Sequence, residues 1–498
     1  MKKLYRYSTI VFSVLSLSLT SCSDYLDRDD DDNITEADVF ARYEKVNGLV
    51  SDVYAAAKKA DRPLVFFEHF SNSAITDECE GTNVEGNITN NFNNGAWNPN
   101  SLPGSVGQYW EALYEGIRKA NLIIENVEKY NTPDNPQQDG DLRNRIGEMY
   151  FMRGYFHMLL MRMYGEAPYI DYVVHAGDNM DFKKESVHAM VEKIVADAQT
   201  AYSMVPNKYV KTSENFGRVD KGACLGLIAF VRWVAATPLW NGASQYGYNL
   251  RRVFENEYAY DINRWRRAKE AAKAVMDFEV GGTKRYSLYT KHDANDFKDP
   301  ADGNLNDSRV YARLWDMFYD MDAFANEYVF FMTKSKDQAW QGDIYPPSRE
   351  GSSRQQPVQE QVDEYEYIVG DYGYPVYSAE ARKGGYDDAN PYVKGTRDPR
   401  FYRDIIYHGA PYRNNNNESK IINTASGSDK IGATNATTTG YYLRKFQQES
   451  WNKSGNFSIN APAIWRLPEF IYIYAEACNE LGEDIDEAYK PVSYTHLT

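Results

Sequence analysis

The side chains best suited to acid–base or metal chemistry in this chain are seven histidines: His69, His157, His175, His188, His292, His408 and His496. Their spacing supports neither use, since no two form H-E-x-x-H or any other close pair. His157 falls on the core face of a predicted helix and reads as a hydrogen-bonded interior histidine. Nucleophile and nucleotide motifs are absent as well: there is no G-x-S-x-G, P-loop or G-x-G-x-x-G, and Gly242-Ala243-Ser244-Gln245-Tyr246-Gly247 is similar only at a glance. Beyond Cys22, the cysteines Cys79, Cys224 and Cys478 are odd in number, far apart and without C-x-x-C spacing, so they make neither a disulfide framework nor a zinc site. Cys224 and Cys478 lie on apolar helical faces and read as small buried hydrophobes. The acidic stretch with Asp296, Asp299, Asp302 and Asp307 lacks the calcium-loop pattern; a solvated loop is the reading there, with Ca²⁺ the alternative and no other cofactor expected. Two carboxylates about 5–10 Å apart suffice for a glycosidase, a condition that 71 acidic residues can meet by chance, so a surface glycoside hydrolase stays open as an alternative.

Rings and charge say more. The 498 residues include 41 Tyr, 22 Phe and 9 Trp, and an amphipathic Tyr surplus suits half-wet surfaces, so many rings line a groove rather than fill a core. The formal charge is −16 and no Lys/Arg-rich run occurs, which argues against a nucleic-acid partner.

The elements that position these residues are mainly helices. Trp110, Leu113, Tyr114, Ile117, Asn121 and Ile124 recur at three- and four-residue steps, as do Ile146, Met149, Tyr150, Arg153, His157, Leu160, Met161 and Tyr164; both sets predict amphipathic helices. Further helices are expected over about 36–60, 185–204, 219–236 and 263–278, and one from Pro468 to a stop at Gly482. Trp110, Trp233, Trp265 and Tyr474 lie on these stripes and are expected in the core. Residues 71–105 and about 282–460 break the pattern with Asn, Gly, Asp and Pro among regularly spaced rings; such long irregular stretches tend to be functional, and the rings argue against disorder. The expected fold is mostly α: tetratricopeptide-like helix pairs with a large irregular, loop-rich insertion, although no clean 34-residue period is present.

The first residues form an address. Lys2, Lys3 and Arg6 precede an apolar stretch, Ser8 to Leu19, too short to span a bilayer, and Leu19-Thr20-Ser21-Cys22 follows. Small residues before Cys22 resemble the bacterial lipobox, so residues 1–21 read as a lipoprotein signal and Cys22 as the lipidated N-terminus. Cleavage removes three positive charges and takes the net charge from −16 to −19. The acidic run over 22–33 reads as an extended, solvated tether, and it also resembles a surface-export signal of some Gram-negative bacteria.

Eight segments, in order along nearly the whole chain, resemble the SusD/RagB family of outer-membrane nutrient-binding lipoproteins. They are Cys22-Ser23-Asp24-Tyr25-Leu26-Asp27; Trp110 through Tyr114 and Ile117 to Ala120-Asn121; Gly147 to Gly154 running on to Tyr164-Gly165-Glu166-Ala167-Pro168; and Gly217 to Ala223. Then come Trp265-Arg266-Arg267-Ala268, Arg397-Asp398-Pro399-Arg400, Tyr442 to Phe446, and Arg466 to Ala477. The chain departs from the family in having Arg466-Leu467-Pro468-Glu469 where Arg-Tyr-Ala-Glu is usual. It also stops at Thr498, where relatives continue, and Ser493 to Thr498 match nothing expected, so the C-terminus reads as truncated or altered. The resemblance implies one SusD-like domain over 34–498, with a helical scaffold at about 34–280 and 464–490. It further implies a non-catalytic protein, lipid-anchored in the outer membrane and surface-exposed, that captures oligosaccharides, or alternatively peptides in the RagB manner, and delivers them to a SusC-like TonB-dependent transporter.

A sugar presents an apolar C–H face and a rim of hydroxyls, so its site needs flat rings beside amides, carboxylates or Arg. The irregular regions hold three such combinations: Trp97 with Asn98 and Asn100, Trp315 with Tyr319, and Trp340-Gln341 with Tyr345. These eight residues are the expected ligand contacts.

Overall fold

The structure, a computed structural model, describes residues 35–40, 42–60, 71–82, 88–98, 104–130, 139–209, 215–243, 252–289, 321–332, 342–370, 372–393, 395–413, 419–446 and 463–497. The scaffold helices are α1 (Glu36–Phe40), α2 (Tyr43–Ala60), α4 (Gly104–Tyr130), α5 (Asp139–Tyr164), α6 (Val187–Met204), α7 (Lys221–Ala236) and α8 (Ile262–Met276). The short α3 (Ile88–Asn93) stands apart from them. After the insertion the scaffold resumes with α13 (Leu467–Leu481) and α14 (Ile485–Leu497).

Each long helix packs on the next in chain order: α2 on α4, α4 on α5, α5 on α6, α6 on α7, and α7 on α8. The stack then continues with α13 on α8 and α14 on α13, so the insertion leaves and re-enters between two neighbouring helices. The stripe of α4 is buried as its spacing predicts, at Leu113, Ile117, Ala120, Ile124 and Val127. In contrast, α5 is not amphipathic: Met149, Phe151, Met152, Tyr155, Phe156, Met158 and Leu159 are all buried, covering every side. The reason is its central position, with α4, α6 and α7 around it and the Phe330 ring 5.0 Å from Phe151. Close approach needs glycine there, since a Cβ on Gly116 of α4 would lie 2.5 Å from the Phe156 ring.

Side-chain and backbone caps fix the helix ends. Ser186 accepts from the Ala189 N–H at the start of α6 and Asp220 from the Ala223 N–H at the start of α7. Pro468 sits in the first turn of α13, and Gly482 ends that helix in the left-handed region with φ +66°. Cys224 and Cys478 are fully buried free cysteines, and Trp265 and Tyr474 are in the core. Trp110 and Trp233 depart from expectation, being only partly buried. His157 is interior: its Nδ1 lies 2.8 Å from the Arg153 carbonyl, and the Ile170 N–H donates to its Nε2. Burial pushes its pKa down to about 3.

Between α8 and α13 the chain forms short strands and helices. They include β3 (Glu279–Val280), β4 (Thr283–Lys284), α9 (Met321–Asn326), β5 (Tyr328–Phe331), β6 (Gln355–Pro357), α10 (Gln359–Asp363), β7 (Tyr367–Val369), β8 (Tyr372–Tyr374), α11 (Ala379–Lys383), α12 (Pro399–Asp404), β9 (Ile405–Ile406), β10 (Pro411–Arg413), β11 (Ser419–Ile421), β12 (Tyr442–Leu443) and β13 (Ala463–Arg466). This region has a core of its own, built from Val362, Phe401, Ile405, Ile406 and tyrosines such as Tyr345, Tyr412 and Tyr442. Two antiparallel pairings attach it. β13 pairs with β5, setting Arg466 opposite Tyr328, and leads directly into α13. β6 pairs with β2 (Cys79–Gly81), which in turn pairs with β1 (Ile75–Thr76). That sheet joins the two irregular regions of the sequence, and Gln355 Oε1 strengthens the seam by accepting from both the N–H and the hydroxyl of Ser71.

Candidate functional site

Trp97 stands at the end of a short helix that the sequence pattern does not show. α3 closes with a Schellman motif in which the Ala96 N–H donates to the Asn91 carbonyl and the Gly95 N–H to the Phe92 carbonyl. Gly95 supplies the required positive φ, +67°. The Trp97 ring follows directly, packs on Phe92 with centroids 4.4 Å apart, and remains 36% exposed. Phe92 belongs to a small cluster with Ala74, Ile75 and Ile88, and Asn93 Nδ2 donates to the Ala74 carbonyl. The ring is therefore half-embedded on a backbone-capped ledge, with its amphipathic surface open to a ligand. Asn98 is exposed beside it.

Tyr345 is a correction. It is fully buried in the core of the insertion, with the Arg349 guanidinium 5.0 Å from its ring centroid and the Tyr412 ring 6.2 Å away. An arginine stacked between two tyrosines is an internal device of packing, and no ligand reaches Tyr345. Asn100, Trp315, Tyr319, Trp340 and Gln341 lie outside the described residues, as do Cys22, the acidic tether and Asp296, Asp299, Asp302 and Asp307.

The structure contains a feature that the sequence did not disclose: a cavity of about 760 Å³ between the insertion and the helices α7 and α13. One wall is α13, which presents Glu469, Tyr472, Ile473 and Glu476 at helical spacing, together with Trp233 of α7. The opposite wall includes Ser73, Gln355, Gln361, Tyr365 and Lys445. Ser73 in the cavity lining is followed in the chain by Ala74, which belongs to the cluster that backs Trp97.

Several charges around the cavity are already satisfied. Arg466 donates to Glu327, a residue 2% exposed that also accepts from the Tyr289 N–H. Asp404 takes the Arg403 guanidinium and the Tyr365 hydroxyl; burial works to raise its pKa, but Arg403 holds it below the usual range. Glu476 accepts from the Trp233 indole N–H at 2.7 Å, which orients the ring. Glu469 is different. Its carboxyl accepts no hydrogen bond among the described residues, and burial raises its pKa to about 7 against the pull of Arg162 and Arg466.

The comparisons with known proteins bear on what such a chain is. Residues 24–231 match a SusD-like family model described as starch-binding and associating with the outer membrane, and residues 314–494 match the SusD family model. The chain belongs to the SusD/RagB family. A SusD-like protein P2 from Formosa agariphila is 26% identical over 202 residues, which are 40% of this chain and 38% of that one, so the match spans well under half of that relative's length. Solved structures show the same fold. A SusD-like protein from Bacteroides fragilis superposes with TM-score 0.68 at 19% identity, covering 92% of this chain and 78% of that one. A SusD-like carbohydrate-binding protein from the same species gives TM-score 0.65 at 14% identity, over 89% and 75% of the two chains. A laminarin-binding SusD-like protein gives 0.54 at 15%, over 88% and 80%. The mostly α fold expected from the sequence is thus the fold of this family.

Proposed function

We propose that this SusD/RagB protein binds oligosaccharide on the Trp97 ledge at the outer membrane and passes it to a SusC-like TonB-dependent transporter. The observation that carries the reading is Trp97 itself: a large ring backed by Phe92, held by a capped helix end and left open on an otherwise strongly acidic molecule. A sugar's C–H face stacks on such a ring, while Asn98 next to it offers an amide to the hydroxyls. A preformed ledge loses little conformational entropy on binding, which suits capture of dilute ligand. A lipid on Cys22 would hold the protein at the membrane, and since a single acyl chain anchors only marginally, further acylation or the transporter completes the attachment. Among the described residues no helix is long and apolar enough to cross a membrane.

The family description names starch, and one structural neighbour is named for laminarin, so α- and β-glucan oligosaccharides are the first ligands to titrate. In calorimetry on residues 23–498, Trp97→Ala should weaken binding at least tenfold, equivalent to ~1.4 kcal/mol, with an unchanged unfolding midpoint. Undiminished affinity in that variant would remove Trp97 from the site. Binding of short peptides but of no glycan would assign the ledge to peptide instead.

A further inference from the structure

We propose that the cavity between α13 and the insertion is a second saccharide subsite, which takes one end of the chain held at Trp97. The inference rests on the saccharide reading above, and its test separates the cavity from the Trp97 ledge.

Three observations support it. At about 760 Å³ the cavity is within the range of small-molecule sites and accommodates a few sugar units. It is lined by rings whose positions are held: the Trp233 indole is oriented by Glu476, and Tyr472 projects from the neighbouring turn of α13 with 41% of its surface exposed. Finally, its polar groups have unused capacity. Gln355 is 1% exposed: its Oε1 accepts twice from Ser71, while its Nε2, itself closed off from solvent, has no hydrogen-bond partner among the described residues. Gln361 in the same wall makes no side-chain hydrogen bond among the described residues, and neither does Glu469 opposite.

The chemistry of these groups selects the ligand class. Around the cavity, Arg466 is matched by Glu327 and Asp404 by Arg403, and Asp404 is the carboxylate that acts most strongly on Lys445. Glu469 sits near Arg162 and Arg466 and titrates near neutrality, so it both donates and accepts in that range. Amide and carboxyl groups beside two rings match a polyol, in which every hydroxyl is at once donor and acceptor.

The test is a calorimetric titration of residues 23–498 with laminarihexaose, and with maltohexaose as a second probe, on the parent chain and on Trp97→Ala, Tyr472→Ala and Glu469→Gln. Tyr472 is exposed and Gln is isosteric with Glu, so neither substitution threatens the fold; a circular dichroism melt checks this. The expected result is that Tyr472→Ala and Glu469→Gln each weaken hexaose binding at least fivefold while a trisaccharide, too short to reach both places, loses affinity only on Trp97→Ala or only on Tyr472→Ala. Hexaose affinity unchanged in both cavity variants overturns the subsite and leaves the ledge reading intact. Loss in the cavity variants with none in Trp97→Ala supports the cavity and refutes the ledge. A parent chain that binds neither hexaose overturns both.

Discussion

Replacing Glu469 by Gln should stabilise the protein, and should do so only above a definite pH. An ordinary glutamate titrates near 4.5, whereas burial raises the Glu469 carboxyl to about 7 despite Arg162 and Arg466 nearby. Between these values the folded protein keeps a proton that the unfolded chain has released. Stability therefore falls as pH rises from about 4.5 to 7 and levels off above that. Taken at face value the interval corresponds to ~3 kcal/mol. Glu469 is partly open to the cavity, and solvent screening there reduces the expected effect to ~1–2 kcal/mol. Glutamine keeps the shape and removes the charge, so parent and variant should unfold at nearly equal urea concentrations at pH 4.5, with the variant more stable by ~1–2 kcal/mol at pH 8. Urea titrations followed by circular dichroism at pH 4.5, 6 and 8 make the comparison. A constant offset at all three values, or a variant less stable at pH 8, would refute the claim that the folded protein disfavours the ionised form.

Other substitutions separate packing from function. Tyr345→Ala should cost ~3–5 kcal/mol of stability because it empties a fully buried site in the insertion, whereas Trp97→Ala, half exposed, should cost under ~1 kcal/mol; urea unfolding of the pair checks the contrast. His157, held neutral by burial with its pKa lowered to about 3, makes the fold lose stability as pH falls from about 6.5 towards 3, so His157→Gln should flatten that acid limb. Cys22→Ser should release the protein from membranes into the soluble fraction on cell fractionation, and a variant that stays membrane-bound would argue against a lipid anchor.

Much of the scaffold was legible in the sequence, since helical periodicity and caps are local. The stripe of α4, Pro468 and Gly482 each act within a few residues of where they stand. α5 was misread as amphipathic because a helix enclosed on all sides and one enclosed on one side both carry the apolar stripe; only the neighbours decide which. Trp97 is conspicuous in the sequence as a ring among Asn residues in a non-periodic stretch, whereas the helix before it is not, since α3 is too short to show a period. Tyr345 failed for the opposite reason. A Tyr in an irregular region looks available until the tertiary fold stacks it on Arg349.

What the sequence determined alone was the class of molecule: an acidic, ring-rich, mostly helical chain without catalytic motifs, whose ordered segments resemble one family. The cavity was decided only by the tertiary structure. Its walls come from Ser73, Trp233, Gln355, Lys445 and Glu469, residues spread over some four-fifths of the chain, and no local pattern marks them as neighbours. The strand pairing of Cys79 with Pro357 and of Arg466 with Tyr328 brings them together. Such pairings depend on which distant edges meet, a property of the assembled fold and not of any window of sequence.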